Sequence, residues 1–360
     1  MKDASSSGFV LPLVLWVIAI LAFASTFVYA WVERAIVDAA LTRDRVRVEE
    51  EFNAALATVL YTMVRQPLSA DGFEIYENDA QMSSVRRRGI ENPLGEVSLG
   101  SRYIPVDGRP LKFSERSIVS IQDNGGLINL SLYGPIEQDP ARYEEVRRLL
   151  SRFGVPVEER DPLINKLLDY LDPDDLKRPA GAEAPEYRER GRALPPNVPL
   201  VTPLQLRSVL DWDRYPALWQ TPGLFDVAGK GSGAPMNLGT APAAVLEIVF
   251  GITPENAESL VAERERSRGS PYHFRGIVAP LVGERKLNYL YNPSDTYRVT
   301  LLAPKTRQRR EIGVTLTPIG QRAPWLIDYI LDLPFAEAHA ARAQLATSEF
   351  PFVAPVPLSR

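Results

Sequence analysis

The chain has 360 residues, a formal net charge of -4 and a pI near 5.5, so no overall basic field draws it to nucleic acid. It contains no cysteine and only two histidines, His273 and His339. Disulfides, thiol nucleophiles and cysteine-ligated zinc are therefore excluded, and a multi-histidine metal site or a histidine-dependent catalytic centre is not expected.

In chain order, a polar leader, Met1 to Gly8, runs directly into Phe9, and an uncharged apolar run continues to Val32 before Glu33 and Arg34 close it. The run of about 24 residues makes a helix roughly 36 Å long, enough to cross a bilayer core of about 30 Å. A secretory signal peptide would place a small-residue cleavage site after a shorter apolar core. Here the break precedes the run, between Gly8 and Phe9, which resembles the signal of type IV prepilins: a peptidase trims the leader and the apolar segment stays on the mature chain. An uncleaved membrane anchor is the alternative. Pro12 falls in the first helical turn if the mature chain starts at Phe9, where its missing N–H costs little. Leu13, Leu15, Ile18, Leu21 and Phe27 are the candidate assembly residues. Charge leaves the orientation open, because Lys2 is offset by Asp3 and Arg34 and Arg43 follow the span.

From Trp31 to Val64 there is no Pro or Gly, and Phe52, Leu56, Val59, Leu60 and Met63 recur near helical spacing. One long helix from about Leu11 to Val64 is predicted, ended by Gln66-Pro67. Strands are expected at Gly95 to Pro105 and Lys112 to Gln122 with a turn at Asp107-Gly108. A second turn at Asp123 to Gly126 leads into Leu127-Ile128-Asn129-Leu130. From Asp139 the period turns helical. Asp139-Pro140, Asp161-Pro162 and Thr202-Pro203 each open a helix, a polar loop spans Asp172 to Asn197, and Ala241 to Phe250 pairs with Pro254 to Arg266. Strand patterning returns at Thr296 to Ala303 and Arg309 to Leu316 around a basic turn, Lys305 to Arg310. Strands, then helices, then strands point to an α+β fold: a long N-terminal helix packed on a small antiparallel sheet, with a large all-α domain inserted between sheet strands.

The most specific soluble motif is Leu167 to Asp175, with Gly181-Ala182-Glu183, Tyr187 and Pro196-Asn197-Val198-Pro199-Leu200 after it. Together with Gly126 to Leu130 and Met236-Asn237-Leu238-Gly239-Thr240-Ala241, it resembles the K-type minor pseudopilin of bacterial type II secretion systems over nearly the whole chain. Most pilin-like proteins carry Glu at the fifth mature residue, where this chain has Leu13, and the K type lacks that Glu. A subunit at the tip has no neighbour ahead whose terminal amine needs a partner, so a buried carboxylate there would only cost free energy.

The resemblance implies a leader at 1–8, a transmembrane and assembly helix at 9–32 and a pilin-like α/β domain from 33 to 138. An inserted all-α domain would follow at 139–294, and the return strands with a C-terminal tail at 295–360. It further implies a single-pass inner-membrane protein with its soluble domain in the periplasm, processed and methylated by prepilin peptidase. The protein would initiate the pseudopilus tip with I- and J-type minor pseudopilins and support export of folded proteins. Major pseudopilin, secretin and secreted proteins are further candidate partners, and no enzymatic activity is implied.

Asp172, Asp174, Asp175 and Glu183 are hard oxygen donors of the type calcium uses, and calcium is the ion that the resemblance suggests. Lys177 stands where an EF-hand loop needs Gly, and turn-forming acids on a solvated loop are the alternative. Residues 237–277 resemble a helix-hairpin-helix module, which opens a second functional reading, a membrane-tethered DNA-binding or uptake protein. Against it, Phe250-Gly251-Ile252-Thr253 lacks the second Gly, Pro254 removes a donor and Glu255 repels phosphate. Nucleic acid is therefore not expected as a partner. No phosphate loop, G-x-S-x-G or HExxH occurs, and Asp211 and Asp213 read as surface charges.

Overall fold

The computed structural model describes residues 10–76, 103–130, 140–230, 235–267, 271–282, 289–318, 320 and 323–351. Gly8, Phe9 and most of the expected strand at 95–105 lie outside them. The chain divides into two compact units, Met1–Asn53 and Ala54–Arg360.

Helix α1, Val10–Arg65, is unbroken over 56 residues, or about 84 Å at 1.5 Å per residue. Its apolar window has mean hydropathy 2.4 and none of it is buried, making it long and apolar enough to cross a membrane. Ser25 and Thr26 donate their hydroxyls to the carbonyls of Leu21 and Ala22, at 2.7 and 2.9 Å, so neither polar group needs water. Further along, Ala55, Val59, Leu60 and Met63 are buried at helical spacing.

In the second unit, a small sheet joins β1 (Leu68–Ser69), β2 (Gly72–Glu74) and β3 (Tyr103–Pro105). The larger sheet is fully antiparallel. Its spatial order is β12 (Trp325–Leu333), β11 (Gln308–Leu316), β10 (Thr296–Ala303), β5 (Ile118–Asp123), β4 (Asp107–Lys112). Val119, Ile121, Tyr297, Val299, Leu301, Ile312 and Val314 alternate along three strands and are all buried, which defines its apolar face.

β5 and β10 are hydrogen-bonded neighbours although residues 124–295 separate them in the chain, which is the inserted arrangement that the sequence suggests. The insertion is mainly helical: α2 (Pro140–Arg152), α3 (Val157–Leu171), α4 (Ala184–Glu189), α5 (Leu224–Val227), α6 (Ala243–Phe250), α7 (Pro254–Arg266) and α8 (Pro271–Val282). Its core gathers Val146, Leu149, Leu163, Leu167, Trp212 and Val245. Trp212 is fully buried and its indole N–H donates to the Leu163 carbonyl at 3.0 Å.

Several local expectations are corrected. Asp107-Gly108 begins β4 instead of making a turn: Gly108 takes φ +78° at a bulge, a left-handed conformation that glycine adopts without steric cost. The expected strand 112–122 is a hairpin, turned at Ser114–Ser117 where the Ser114 hydroxyl accepts two backbone N–H groups. α3 begins at Val157, five residues before Pro162. The loop at 172–197 contains α4, Thr202 caps a 3-10 segment in place of an α-helix, and the basic turn shortens to residues 304–307 because Gln308 starts β11. The insertion is not purely helical either: β6 (Ile128–Asn129) pairs in parallel with β7 (Ala228–Gly229), and β8 (Met236–Asn237) with β9 (Tyr289–Leu290).

The C-terminal region adds α9, Glu337–Gln344. Beyond it, the Lys112 N–H donates to the Ser348 carbonyl and the Phe350 N–H to the Lys112 carbonyl, at 2.9 and 2.8 Å, so this segment pairs with the last residue of β4. His339 on α9 is buried and accepts the Ala336 N–H through Nδ1 at 2.8 Å. Burial first, then Arg309 and Arg342, lowers its pKa from the ordinary 6.5 to about 4. A depressed folded value means that the unfolded chain binds more protons between those limits. Stability from this group is complete above about pH 6.5 and is lost as pH falls towards 4. The wild type should lose roughly 1–3 kcal/mol more than His339→Asn between pH 7 and pH 4 in denaturant titrations, and equal losses would refute the assignment.

Candidate functional site

Three features of the chain carry the functional reading. The first is the exposed apolar half of α1. Leu13, Leu15, Ile18, Leu21 and Phe27 are all more than half exposed, and such a continuous apolar surface requires lipid or partner helices around it.

The second lies where the insertion leaves and rejoins the sheet. Asp123 ends β5, is completely buried, and accepts five hydrogen bonds. Oδ1 receives the Gly125 N–H at 2.9 Å, the Ser294 N–H at 3.0 Å and the Ser294 hydroxyl at 2.6 Å. Oδ2 receives Asn237 Nδ2 at 2.8 Å and Thr240 Oγ1 at 2.7 Å. Beside it the Gln122 side chain donates to the Thr240 carbonyl at 3.1 Å. One carboxylate thus ties together both chain crossings, and Asn237 and Thr240 of the Asn-Leu-Gly-Thr-Ala segment, with Gly125 and Ser294, are the donors that satisfy it.

The third is the loop after α3. Asp169 is fully buried, with Arg178 Nη1 at 2.8 Å from Oδ1 and the Arg178 backbone N–H at 3.2 Å from Oδ2. The same guanidinium reaches Asp172. Gly181 passes so close that a Cβ there would stand 2.0 Å from Asp169 Oδ2, which excludes any side chain. Glu183 is 3% exposed and neither of its carboxylate oxygens has a hydrogen-bond partner; Asp172 Oδ1 is likewise buried and unpartnered. Asp174 and Asp175 are exposed, and Asp174 accepts the Leu176 N–H at 2.8 Å. The orphaned oxygens of Glu183 and Asp172 suit a hard cation such as calcium. Among the described residues no three histidines or acids converge into a ready metal cage, so backbone carbonyls would have to complete any coordination.

Burial, reinforced by Asp169, Asp172, Asp175 and Asp174, raises the Glu183 pKa from 4.5 to about 7. A raised acid binds more protons folded than unfolded between these values, so its stability contribution is greatest below about pH 4.5 and is lost as pH rises through 7. In calcium-free buffer at pH 8, Glu183→Gln should be more stable than wild type by about 1–3 kcal/mol, with the difference vanishing near pH 4.5. A difference independent of pH would rule this out.

Sequence reasoning missed Arg178 as the loop's counter-ion, although it follows Lys177, and it misread Asp211. That residue is buried at φ +69°, with Lys166 at 2.5 Å and Arg190 at 2.6 Å. Asp213 is exposed and paired with Arg192 at 3.1 Å, as a surface charge should be. In the helix-hairpin-helix-like segment, Arg264 spends its guanidinium on the Leu238 and Ala241 carbonyls at 3.1 and 2.7 Å, and Arg266 pairs with Glu263. Both contacts favour packing over a phosphate grip.

Residues 119–218 match the family model described as type II secretion system, protein K. The match begins within β5 and includes Asp123 and the whole acidic loop. A protein of Pseudomonas aeruginosa named type II secretion system protein K is 32% identical over 193 residues, covering 50% of this chain and 54% of that protein. The chain thus aligns with about half the length of this relative. Among solved structures, a GspK-GspI-GspJ complex from the type 2 secretion system of enterotoxigenic Escherichia coli contains a chain that matches at a TM-score of 0.43 and 15% identity, over 80% of this chain and 99% of that one. The resemblance to the K type read from the residues is borne out by the family and sequence matches over the part of the chain that they cover.

Proposed function

We propose that this chain is a K-type minor pseudopilin at the tip of a type II secretion pseudopilus. The observation that carries this reading is the coincidence of two features in one chain. The protein K family match covers the Asp123 junction and the acidic loop, and an apolar helix of the right length precedes it.

The mechanism follows from α1. Before assembly its apolar half lies in the inner membrane, with the remaining chain in the periplasm. On assembly the same residues, Leu13, Leu15, Ile18, Leu21 and Phe27, exchange lipid for sister helices. Close packing supplies the affinity, since lipid tails are as apolar as the side chains. Prepilin peptidase removes Met1 to Gly8 and leaves Phe9 as the new N-terminus. Leu13 then presents no carboxylate to a subunit ahead, which suits a chain with none ahead of it. I- and J-type pseudopilins are the expected neighbours, and an end of the filament tolerates the bulk of the insertion, which would obstruct the middle of a helical stack. The role is structural.

Calcium belongs to this proposal at the acidic loop, held by Glu183 and Asp172 together with carbonyl oxygens. Neutralising these carboxylates would stiffen the loop after α3. Calorimetric titration should give saturable heat in the wild type and none in Glu183→Gln. Absence of heat in the wild type would remove calcium while leaving the pseudopilin reading intact.

The function is tested in the host by deleting the gene and following an exoprotein exported by the same system. Export should stop and return with the wild-type chain. Intact mass after co-expression with the host's prepilin peptidase should show loss of the leader. Unimpaired export in the deletion strain would contradict the proposal.

A further inference from the structure

The sheet has a second face, and it is polar. Thr300 stands opposite both Ser120 and Glu311, Arg298 opposite Gln122, and Leu302 opposite Arg309. Residues on this face, α9 and residues around 225 and 242 enclose a cleft of about 250 Å³.

Two buried donors of the cleft have no hydrogen-bond acceptor. His339 accepts a backbone N–H through Nδ1, so its neutral ring carries the proton on Nε2. Nε2 is buried and has no partner. The Arg309 Nε–H is also buried without a partner, its guanidinium reaching Glu311 only through Nη2 at 3.1 Å. Arg342 donates to the Gly108 carbonyl and makes no ion pair among the described residues. Of the nearby carboxylates, Glu311 receives Arg309 and the Tyr329 hydroxyl, and Asp226 Oδ2 receives the Gly223 N–H. Two buried donors on adjoining elements therefore lack the acceptor that buried donors ordinarily find.

We infer that this cleft binds a small organic acid through one carboxylate, which accepts from Arg309, His339 and Arg342. The charge inventory disfavours a multiply charged ligand. The guanidinium groups of Arg298, Arg309 and Arg342 face the carboxylates of Glu311, Asp226 and Asp107, so a multiply charged phosphate would meet repulsion that a single carboxylate largely avoids. The volume lies below that of pockets for drug-sized ligands, which begin at about 300 Å³. This site is independent of the secretion role and of calcium.

The two histidines of the chain make the test direct. Full-length protein in detergent, labelled with ¹⁵N-histidine, is titrated with sodium acetate and, separately, with sodium chloride at matched ionic strength. The His339 ring resonances should shift saturably with acetate alone while those of His273 stay in place. Arg342→Gln should weaken acetate at least tenfold, and Arg342→Lys, which keeps the charge, should weaken it less. Near-UV circular dichroism reports whether each variant is folded; if Arg342→Gln is not, Arg342→Lys must still weaken acetate measurably. Equal shifts with acetate and chloride, unchanged affinity in a folded Arg342 variant, or tighter binding of inorganic phosphate than of acetate would each overturn the assignment.

Discussion

Asp123→Ala should destabilise the folded chain by about 3–5 kcal/mol. The carboxylate is completely buried and takes five hydrogen bonds, from residues up to 171 positions away. Its removal leaves Asn237, Thr240 and Ser294 donors inside the protein without acceptors, and that desolvation, more than lost attraction, sets the cost. Asp123→Asn separates the two contributions. It keeps the shape and one oxygen but turns the other into a donor facing donors, so it should recover less than half of the loss. Equilibrium urea unfolding measures both variants, and an alanine variant within 1 kcal/mol of wild type would refute the junction's role.

Arg178→Ala should cost about 3–5 kcal/mol at pH 8, because it strips the counter-ion from two buried carboxylates. Asp169 is fully buried and Asp172 nearly so, and both are held by this one guanidinium. Burial already pushes the Asp172 pKa up, and Arg178 is what opposes it. Without Arg178 the loop can relieve the repulsion only by taking protons, so the penalty should shrink as pH falls towards 5. The pH series distinguishes this account from simple loss of packing, which would give a penalty independent of pH. Calcium added to the variant should restore part of the stability if the loop holds the ion.

The long helix was legible from sequence because nothing between Trp31 and Val64 opposes it, and its ends agree with Val10–Arg65 as closely as helix ends can. The insertion was legible from the change of period at Asp139. What stayed hidden depended on pairs distant in sequence. Asp123 looked like a turn former because its partners Asn237, Thr240 and Ser294 approach only in the fold. Asp211 looked solvated because Lys166 and Arg190 come from other segments. The third return strand, Trp325–Leu333, was missed although Leu326, Tyr329 and Ile330 alternate irregularly with polar residues; it is an edge strand, and its partial exposure blurs the period-2 signal. At the acidic loop the organising residue is Arg178, which a search for metal ligands passes over.

The central claim, that this chain is the K-type subunit of a pseudopilus tip, is tested most directly by co-expressing the full-length chain with the I- and J-type pseudopilins of its own system, solubilising in mild detergent and measuring the mass of what co-purifies. One stable complex containing one copy of each chain is expected, weakened by charged substitutions such as Ile18→Arg or Leu21→Glu on the apolar face of α1. A chain that purifies alone from all three proteins, folded and correctly processed, would contradict it.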